Sequence, residues 1–206
     1  MNAKNHWESV YETKSAESVS WYAPHLRESL QFVQRAAPDK GARIIDVGGG
    51  ESTLVDDLLA AGYDDVAILD ISAIALDVTR QRVGALAKHV SWFVADVLEV
   101  ELPAASYDVW HDRAVFHFLT TDEQRRRYVD KVLMALKPGG FAIVGTFGPD
   151  GPIQCSGLPV SRYDASALHG TFGEPFQLMD SRVEVHTTPS GAQQQFVYCF
   201  CRLRTR

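Results

Sequence analysis

The run Ile44-Ile45-Asp46-Val47-Gly48-Gly49-Gly50-Glu51-Ser52-Thr53 constrains this chain more than any other stretch. Its β-branched opening, Arg43–Gly48, predicts a short strand that ends in glycines. Glycine carries no Cβ, so a ligand can approach the backbone of such a turn closely. From Ser52 to Ala61 the apolar residues return at helical spacing, with Leu54, Val55, Leu58 and Leu59 on one stripe and Gly62 as the stop. Strand, bare turn and helix together form a ligand-binding device, because the first N–H groups of the helix point back at the turn.

The same alternation fills most of the chain. Val66–Ile71 predicts a second strand, and Ser72–Gly84 a helix that opens on a good N-cap and carries Ile74, Leu76, Val78 and Val83. Val90–Val97 and Tyr107–Asp112 predict a third and a fourth strand. Thr121–Leu136 is the strongest helix, with Asp122 and Glu123 complementing its N-terminal dipole and Val129, Val132, Leu133 and Leu136 along its stripe. Pro138-Gly139-Gly140 turns the chain into a fifth strand, Phe141–Phe147. A glycine- and proline-rich loop, Gly148–Pro159, and a short helix near Asp164–His169 follow. Phe176–Thr187 and Gln193–Leu203 flank a turn and read as an antiparallel pair. Residues 1–40 predict a helical cap, with helices near Asn5–Thr13 and Pro24–Ala36.

This order implies an α/β, three-layer, doubly wound architecture: a seven-stranded, mostly parallel sheet with its last strand antiparallel, plus the short cap. No linker divides the chain, so one domain is expected over residues 1–206, with the cap at 1–40 and the core at 41–206. A length of 206 residues with 46% hydrophobic and 22% charged side chains suits that size. The formal charge of -6 argues against a nucleic-acid partner, whose binding face should be basic. The cluster Arg125-Arg126-Arg127 lies on a predicted helix and reads as a solvated face. Three cysteines do not make a secreted disulfide framework. Cys199 and Cys201 alternate with Phe200 and read as buried thiols, with no metal-ligand spacing around them. The N-terminus lacks an apolar signal core, and no apolar run reaches the roughly 20 residues of a membrane span. A cytoplasmic protein without membrane partners is expected, as a monomer or weak homodimer.

The glycine turn admits two ligand classes. A dinucleotide calls for G-x-G-x-x-G, and Gly48 to Thr53 lacks the third glycine of that frame. Asp46 and Glu51 would also repel a pyrophosphate, whereas a phosphate-free cation gains from Asp46. S-adenosylmethionine, with its sulfonium, ammonium, ribose and adenine, fits that requirement.

On these residues the sequence resembles the class I S-adenosylmethionine-dependent methyltransferases. Asp46, Gly48 and Gly50 match the first motif of that family, an acid followed by glycines at alternate positions; Ser52 stands where a third glycine is common. "AILDIS" closes the second strand, and the resemblance implies that Asp70 binds both ribose hydroxyls, beside Ile71 and Ser72. "FVADV" closes the third, and implies that Asp96 contacts the adenine amino group, with Val97 adding backbone contact. "LKPGG" matches the family's turn before the fifth strand. The opening "HWESVYETK…SWY" implies a cap that closes over the cofactor with Trp21 and Tyr22 near it, while Gly49 completes the turn. Trp7 and Tyr11, four apart, read as packing residues.

In this family the reactive methyl lies just past the fourth strand, here "YDVWHDRAVFHFL". Asp112, Arg113 and His117 are the candidate catalytic residues of that segment, with Asp112 and Arg113 also counted toward the cofactor. Strand alternation sends His111 and Asp112 to opposite faces. "DRA" resembles the "DRG" or "ERA" of thiopurine, thiol and halide methyltransferases and the "DKG" of some protein-lysine methyltransferases. A small-molecule acceptor is the preferred expectation, a protein-lysine N-methyltransferase the alternative, and a non-catalytic nucleotide-binding module a third.

Overall fold

The computed structural model describes residues 3–205. Its main sheet holds β1 (Ile44–Val47), β2 (Val66–Asp70), β3 (Val90–Val94), β4 (Tyr107–Arg113), β5 (Leu136–Phe147), β6 (Phe176–Thr187) and β7 (Gln193–Leu203). These seven strands run in the order β3-β2-β1-β4-β5-β7-β6. The last strand, β7, runs antiparallel to both β5 and β6, as the sequence predicts. The order reverses between β1 and β4, so the C-terminal ends of those two strands open a crevice.

The helices α1 (Ala3–Thr13), α2 (Arg27–Ala36), α3 (Leu54–Ala60), α4 (Ala73–Val83), α5 (Asp122–Ala135) and α6 (Ala165–Phe172) cover both faces. On one face Ile45, Val47, Trp110 and Val144 pack with Tyr128 and Val132 of α5 and Leu168 and Phe172 of α6. On the other, Ile44, Ile68, Val109 and Ile143 pack with residues of α2, α3 and α4. The side chains of β1 and β4 therefore alternate between the two faces of the sheet. That alternation decides which polar residues reach the site.

Several boundaries differ from expectation for local reasons. β3 stops at Val94, where the backbone of Ala95 donates to Asp70 O and begins the turn that holds Asp96. β5 begins at Leu136, immediately after α5, with an irregular register between Tyr107 and Val109 that absorbs the Pro-Gly-Gly segment. α2 starts at Arg27, three residues beyond Pro24. Val78, expected on the apolar stripe of α4, is 37% exposed, because α4 turns Ala75, Leu76, Thr79 and Val83 inward instead. A small ribbon, Gln154–Cys155 against Leu158–Pro159, lies inside the predicted loop. The strongest helix keeps its expected cap: Thr121 and Gln124 form a reciprocal capping box at the start of α5.

Candidate active site

The glycine turn holds its shape through contacts only glycine permits. Gly48 has φ +68, and a Cβ there would stand 2.0 Å from Val115 Cγ2. Its N–H donates to Leu69 O at 2.6 Å, tying the turn to β2. Arg82 of α4 donates to the carbonyls of Glu51 and Ser52 and to Asp56, which fixes the start of α3.

Above the strand ends lies a cleft of two lobes that share Tyr11, Trp21, Gly48 and Arg113 on their walls. The larger has a volume of about 210 Å³ and is walled by Asp70, Ile71, Asp96 and Val97. The smaller, about 40 Å³, is walled by Tyr22, Asp46, Gly49, Glu51, Ser52 and His111. The three strand-end acids thus meet at one cleft. Asp70 is buried and carries a pKa pushed up to about 7, first by burial and further by Asp46, against the pull of the Ser72 and Gly50 amides. Asp96 accepts from Leu98 N at 2.8 Å in a tight turn of its own.

Three residues of the expected cofactor set do not wall the cleft: Ser72, Gly50 and Asp112. Ser72 is the N-cap of α4: its hydroxyl accepts from Ala75 N and donates to Glu8 Oε2. Gly50 turns its carbonyl to Thr79 Oγ1 at 2.7 Å. The requirement for glycine there is steric, since a Cβ would stand 2.9 Å from both Asp70 Oδ2 and Tyr11 Oη.

The expected catalytic trio separates. Asp112 is fully buried on the α5 side of β4, where it accepts from the amides of Val115 and Phe116 and from Tyr128 Oη at 2.5 Å. Burial raises its pKa to about 6 against those bonds. It fastens the turn after β4 and walls neither lobe. His117 is also fully buried, packed against Phe118 and Phe147, with Nδ1 accepting from Phe147 N at 3.4 Å. Burial and the nearby Arg113 push its pKa down to about 3. A histidine that resists protonation and packs away from the cleft is a poor candidate for the base.

Arg113 does reach the cleft. Nη1 donates to Trp21 O at 3.1 Å, the guanidinium lies 4.1 Å from the Phe196 ring centre, and Nη2 stands 3.7 Å from Glu184. Its Nε and Nη2 lack hydrogen-bond partners among the described residues, although buried.

The residue that sequence reasoning passed over is His111. It shares the Asp46 face of β1 and β4, and its Nδ1 lies 2.7 Å from Asp46 Oδ1 with both side chains almost wholly buried. The alternation of His111 and Asp112 was legible; which of the two faces the cleft was not, because that depends on how β4 is laid against β1.

The cap stands over the cleft as the resemblance implies, and Trp7 and Tyr11, read from the sequence as packing residues, are part of that roof. Ala3, Trp7 and Tyr11 of α1 wall the larger lobe, and Trp7 meets Trp21 and Phe118 edge-on at 5.8 and 5.2 Å between ring centres. Glu8, on the same helix, accepts from Ser72 Oγ at 2.7 Å, Ala73 N at 3.0 Å and Ile74 N at 3.3 Å. The roof is thereby anchored to the N-terminus of α4, two residues past Asp70. Cys155, at the edge of the loop after β5, also walls the larger lobe, with its thiol pushed up to about 11 by burial.

This fold and this cleft have counterparts. Residues 44–140 match the family described as "Methyltransferase domain". The eEF1A lysine and N-terminal methyltransferase of Mus musculus is 27% identical over 131 residues, 63% of this chain; the chain spans only 18% of the length of that relative. Among solved structures, one described as "Conversion of a Disulfide Bond into a Thioacetal Group during Echinomycin Biosynthesis" superposes with a TM-score of 0.78 at 19% identity, covering 98% of this chain and 93% of the other. The Burkholderia thailandensis 1,6-didemethyltoxoflavin-N1-methyltransferase, bound to S-adenosylhomocysteine, superposes at 0.68 with 17% identity, over 98% and 84% of the two chains. Sheet order and these matches give this chain the fold of the class I S-adenosylmethionine-dependent methyltransferases, with residues 44–140 resembling a methyltransferase domain. The cleft suits a cation that also carries hydrogen-bonding groups: Asp46 Oδ2, Glu51 Oε2 and His111 Nε2 are buried without partners among the described residues, and all three belong to its walls.

Proposed function

We propose that this chain is an S-adenosylmethionine-dependent methyltransferase and that it acts on a small-molecule acceptor. The observation that carries the reading is the roof: α1 and Trp21 stand over the cleft, so the acceptor is reached inside a walled pocket beside Arg113, Phe118 and Cys155. Among the described residues no helix is long and apolar enough to cross a membrane.

In this reading Asp70 accepts both ribose hydroxyls, Asp96 and Val97 meet the adenine, and the turn from Gly48 to Ser52 lies against the amino-acid end. Trp21 and Tyr22 close over it. S-adenosylmethionine brings the reactive methyl already activated on a sulfonium. The chain supplies alignment and the exclusion of water, and it holds charge in place. Arg113 is positioned to orient an acceptor bearing negative charge, since it walls both lobes and its buried Nε has no hydrogen-bond partner among the described residues.

A second reading, methylation of a protein lysine, is favoured by the mouse relative, whose name records a lysine substrate. One experiment separates the two. The protein is incubated with methyl-labelled S-adenosylmethionine and a cell extract, and the products are fractionated by size. Label among small solutes supports the first reading; label confined to a protein band replaces it with the second.

A further inference from the structure

We infer that the outer edge of β6 is where two copies of this chain pair, antiparallel and about a two-fold axis through Val183, to form a weak homodimer. The inference stands apart from the methyltransfer reading, since it rests on the sheet edge and not on the cleft.

An open sheet leaves two edges, and the two differ here. β3 is 5 residues long and β6 is 12. A long edge strand offers a row of N–H and C=O groups to any strand that aligns with it, and proteins blunt such edges with proline, lysine, bulges or inward charges. β6 contains no proline and no lysine. Its register against β7 shifts between Leu178 and Asp180, and from Asp180 to Thr187 the pairing is regular. Its charged residues Asp180, Arg182 and Glu184 alternate onto the face toward α2, where each is answered within its own chain. Arg35 donates to Asp180 at 2.5 Å, Arg182 donates to Glu28 at 2.6 Å, and Glu184 lies 3.7 Å from Arg113. The opposite face carries Ser181, Val183, Val185 and Thr187, all exposed, with Val183 at 63% and Val185 at 58%. A groove of about 290 Å³, walled in part by Pro149, Ser181, Val183 and Val197, adjoins them.

The order of side chains along the strand names the occupant. Directly opposed residues of an antiparallel pair share a face, where opposite charges attract and like charges repel. About Val183 the run Asp180-Ser181-Arg182-Val183-Glu184-Val185-His186 is its own complement. Val183 meets the partner's Val183, Arg182 meets the partner's Glu184, and Asp180 meets the partner's His186. Moving the axis by one residue either way sets Arg182 or Glu184 against its own copy. In the favoured register the partner's Val185 comes opposite Ser181, beside the groove, so the exposed valines of both copies are covered. Phe176, packed on Phe172 of α6, stays outside the paired stretch. A single strand edge from each copy falls short of the roughly 1,600 Å² of a standard interface, so the dimer is weak and depends on concentration.

The test uses the full chain and sedimentation velocity from roughly 1 to 500 µM. The wild type is expected to pass reversibly from monomer to dimer across that range. Val183→Lys, at an exposed position, sets two ammonium groups together on the axis and is expected to raise the dimer dissociation constant at least about tenfold. Val183→Cys and Thr187→Cys, compared under mild oxidation, read the register. In Val183→Cys the two thiols face each other and should cross-link. In Thr187→Cys they lie about 26 Å apart, at roughly 3.3 Å per residue, and should not. Cys155, Cys199 and Cys201 are buried and add no cross-link of their own. A wild type that stays monomeric throughout would overturn the inference. So would a dimer that Val183→Lys leaves within about twofold of wild type, or one that Thr187→Cys cross-links as readily as Val183→Cys.

Discussion

Replacing Glu8 by alanine tests whether α1 gates the cofactor. The Glu8 carboxylate accepts one hydroxyl and two amide protons at the start of α4, at 2.7, 3.0 and 3.3 Å. Burial works against its charge, yet these bonds outweigh it and hold the pKa below the usual glutamate value. Ser72 caps Ala75 N independently, so α4 keeps its own cap in the variant. What is lost is one anion at a helix N-terminus and the link from helix to roof. The loss of a cap residue costs about 0.5–2 kcal/mol, and the half-exposed position of Glu8 puts its loss at roughly 1 kcal/mol. That energy is spent where α1 closes the larger lobe, so it should appear as a roughly fivefold faster release of S-adenosylhomocysteine, with a smaller change in global stability. Trp7 and Trp21, in edge contact at 5.8 Å over the cleft, make stopped-flow tryptophan fluorescence the natural assay. Because the folded pKa is depressed, the latch is complete above the unfolded glutamate pKa, near 4.3, and weakens as pH falls below it. A release rate within twofold of wild type for both Glu8→Ala and Glu8→Gln would refute the gating argument.

Asp70, with a pKa of about 7 in the free protein, must be ionised to accept both ribose hydroxyls, so cofactor affinity should rise with pH through that value and binding should release a proton; calorimetry in buffers of different ionisation enthalpy reads both, and a flat affinity would count against the assignment. The sign for stability is opposite: a raised folded pKa penalises the native state above it, so the free protein should gain from this group as pH falls from about 7 toward the unfolded aspartate value near 3.9. Asp70→Ala should weaken cofactor binding by about 1–3 kcal/mol through the lost buried hydrogen bonds, measured by the same titration. Ala114 holds φ +74 just after Arg113, a region that disfavours L side chains, so Ala114→Gly should raise stability by roughly 0.5–1 kcal/mol in denaturant unfolding. Asp112→Asn should cost about 1–3 kcal/mol of stability because one of the two accepting oxygens becomes an NH2 donor set against a buried N–H or O–H, while S-adenosylhomocysteine affinity changes little; a selective loss of affinity would return Asp112 to the cleft.

The sheet and the three strand-end acids were readable because each depends on a short local pattern. Strand, turn and helix recur in order, and Asp46, Asp70 and Asp96 stand at successive strand ends, which a parallel sheet brings together. What was not readable depends on partners distant in sequence. Glu8 caps a helix that begins 65 residues later, and nothing around "HWESVY" announces it. The choice between His111 and Asp112 turned on which face of β4 pairs beside Asp46, which is a fact of assembly. The run "DRAVFH" drew attention to its charged residues, yet a buried carboxylate serving backbone amides looks the same in sequence as one facing a ligand. Val78 was misplaced because α4 buries the small Ala75 and Thr79 against the turn and β2, leaving a larger aliphatic outward.

The roof also sets terms for anyone handling the molecule. Ala3 is itself part of the cleft wall. A bulky side chain in place of Ala3 would therefore crowd the cleft or prop the first helix open. The last strand lies on the far side of β5 from β1, β2 and β3, so a bulky side chain there leaves the cleft clear.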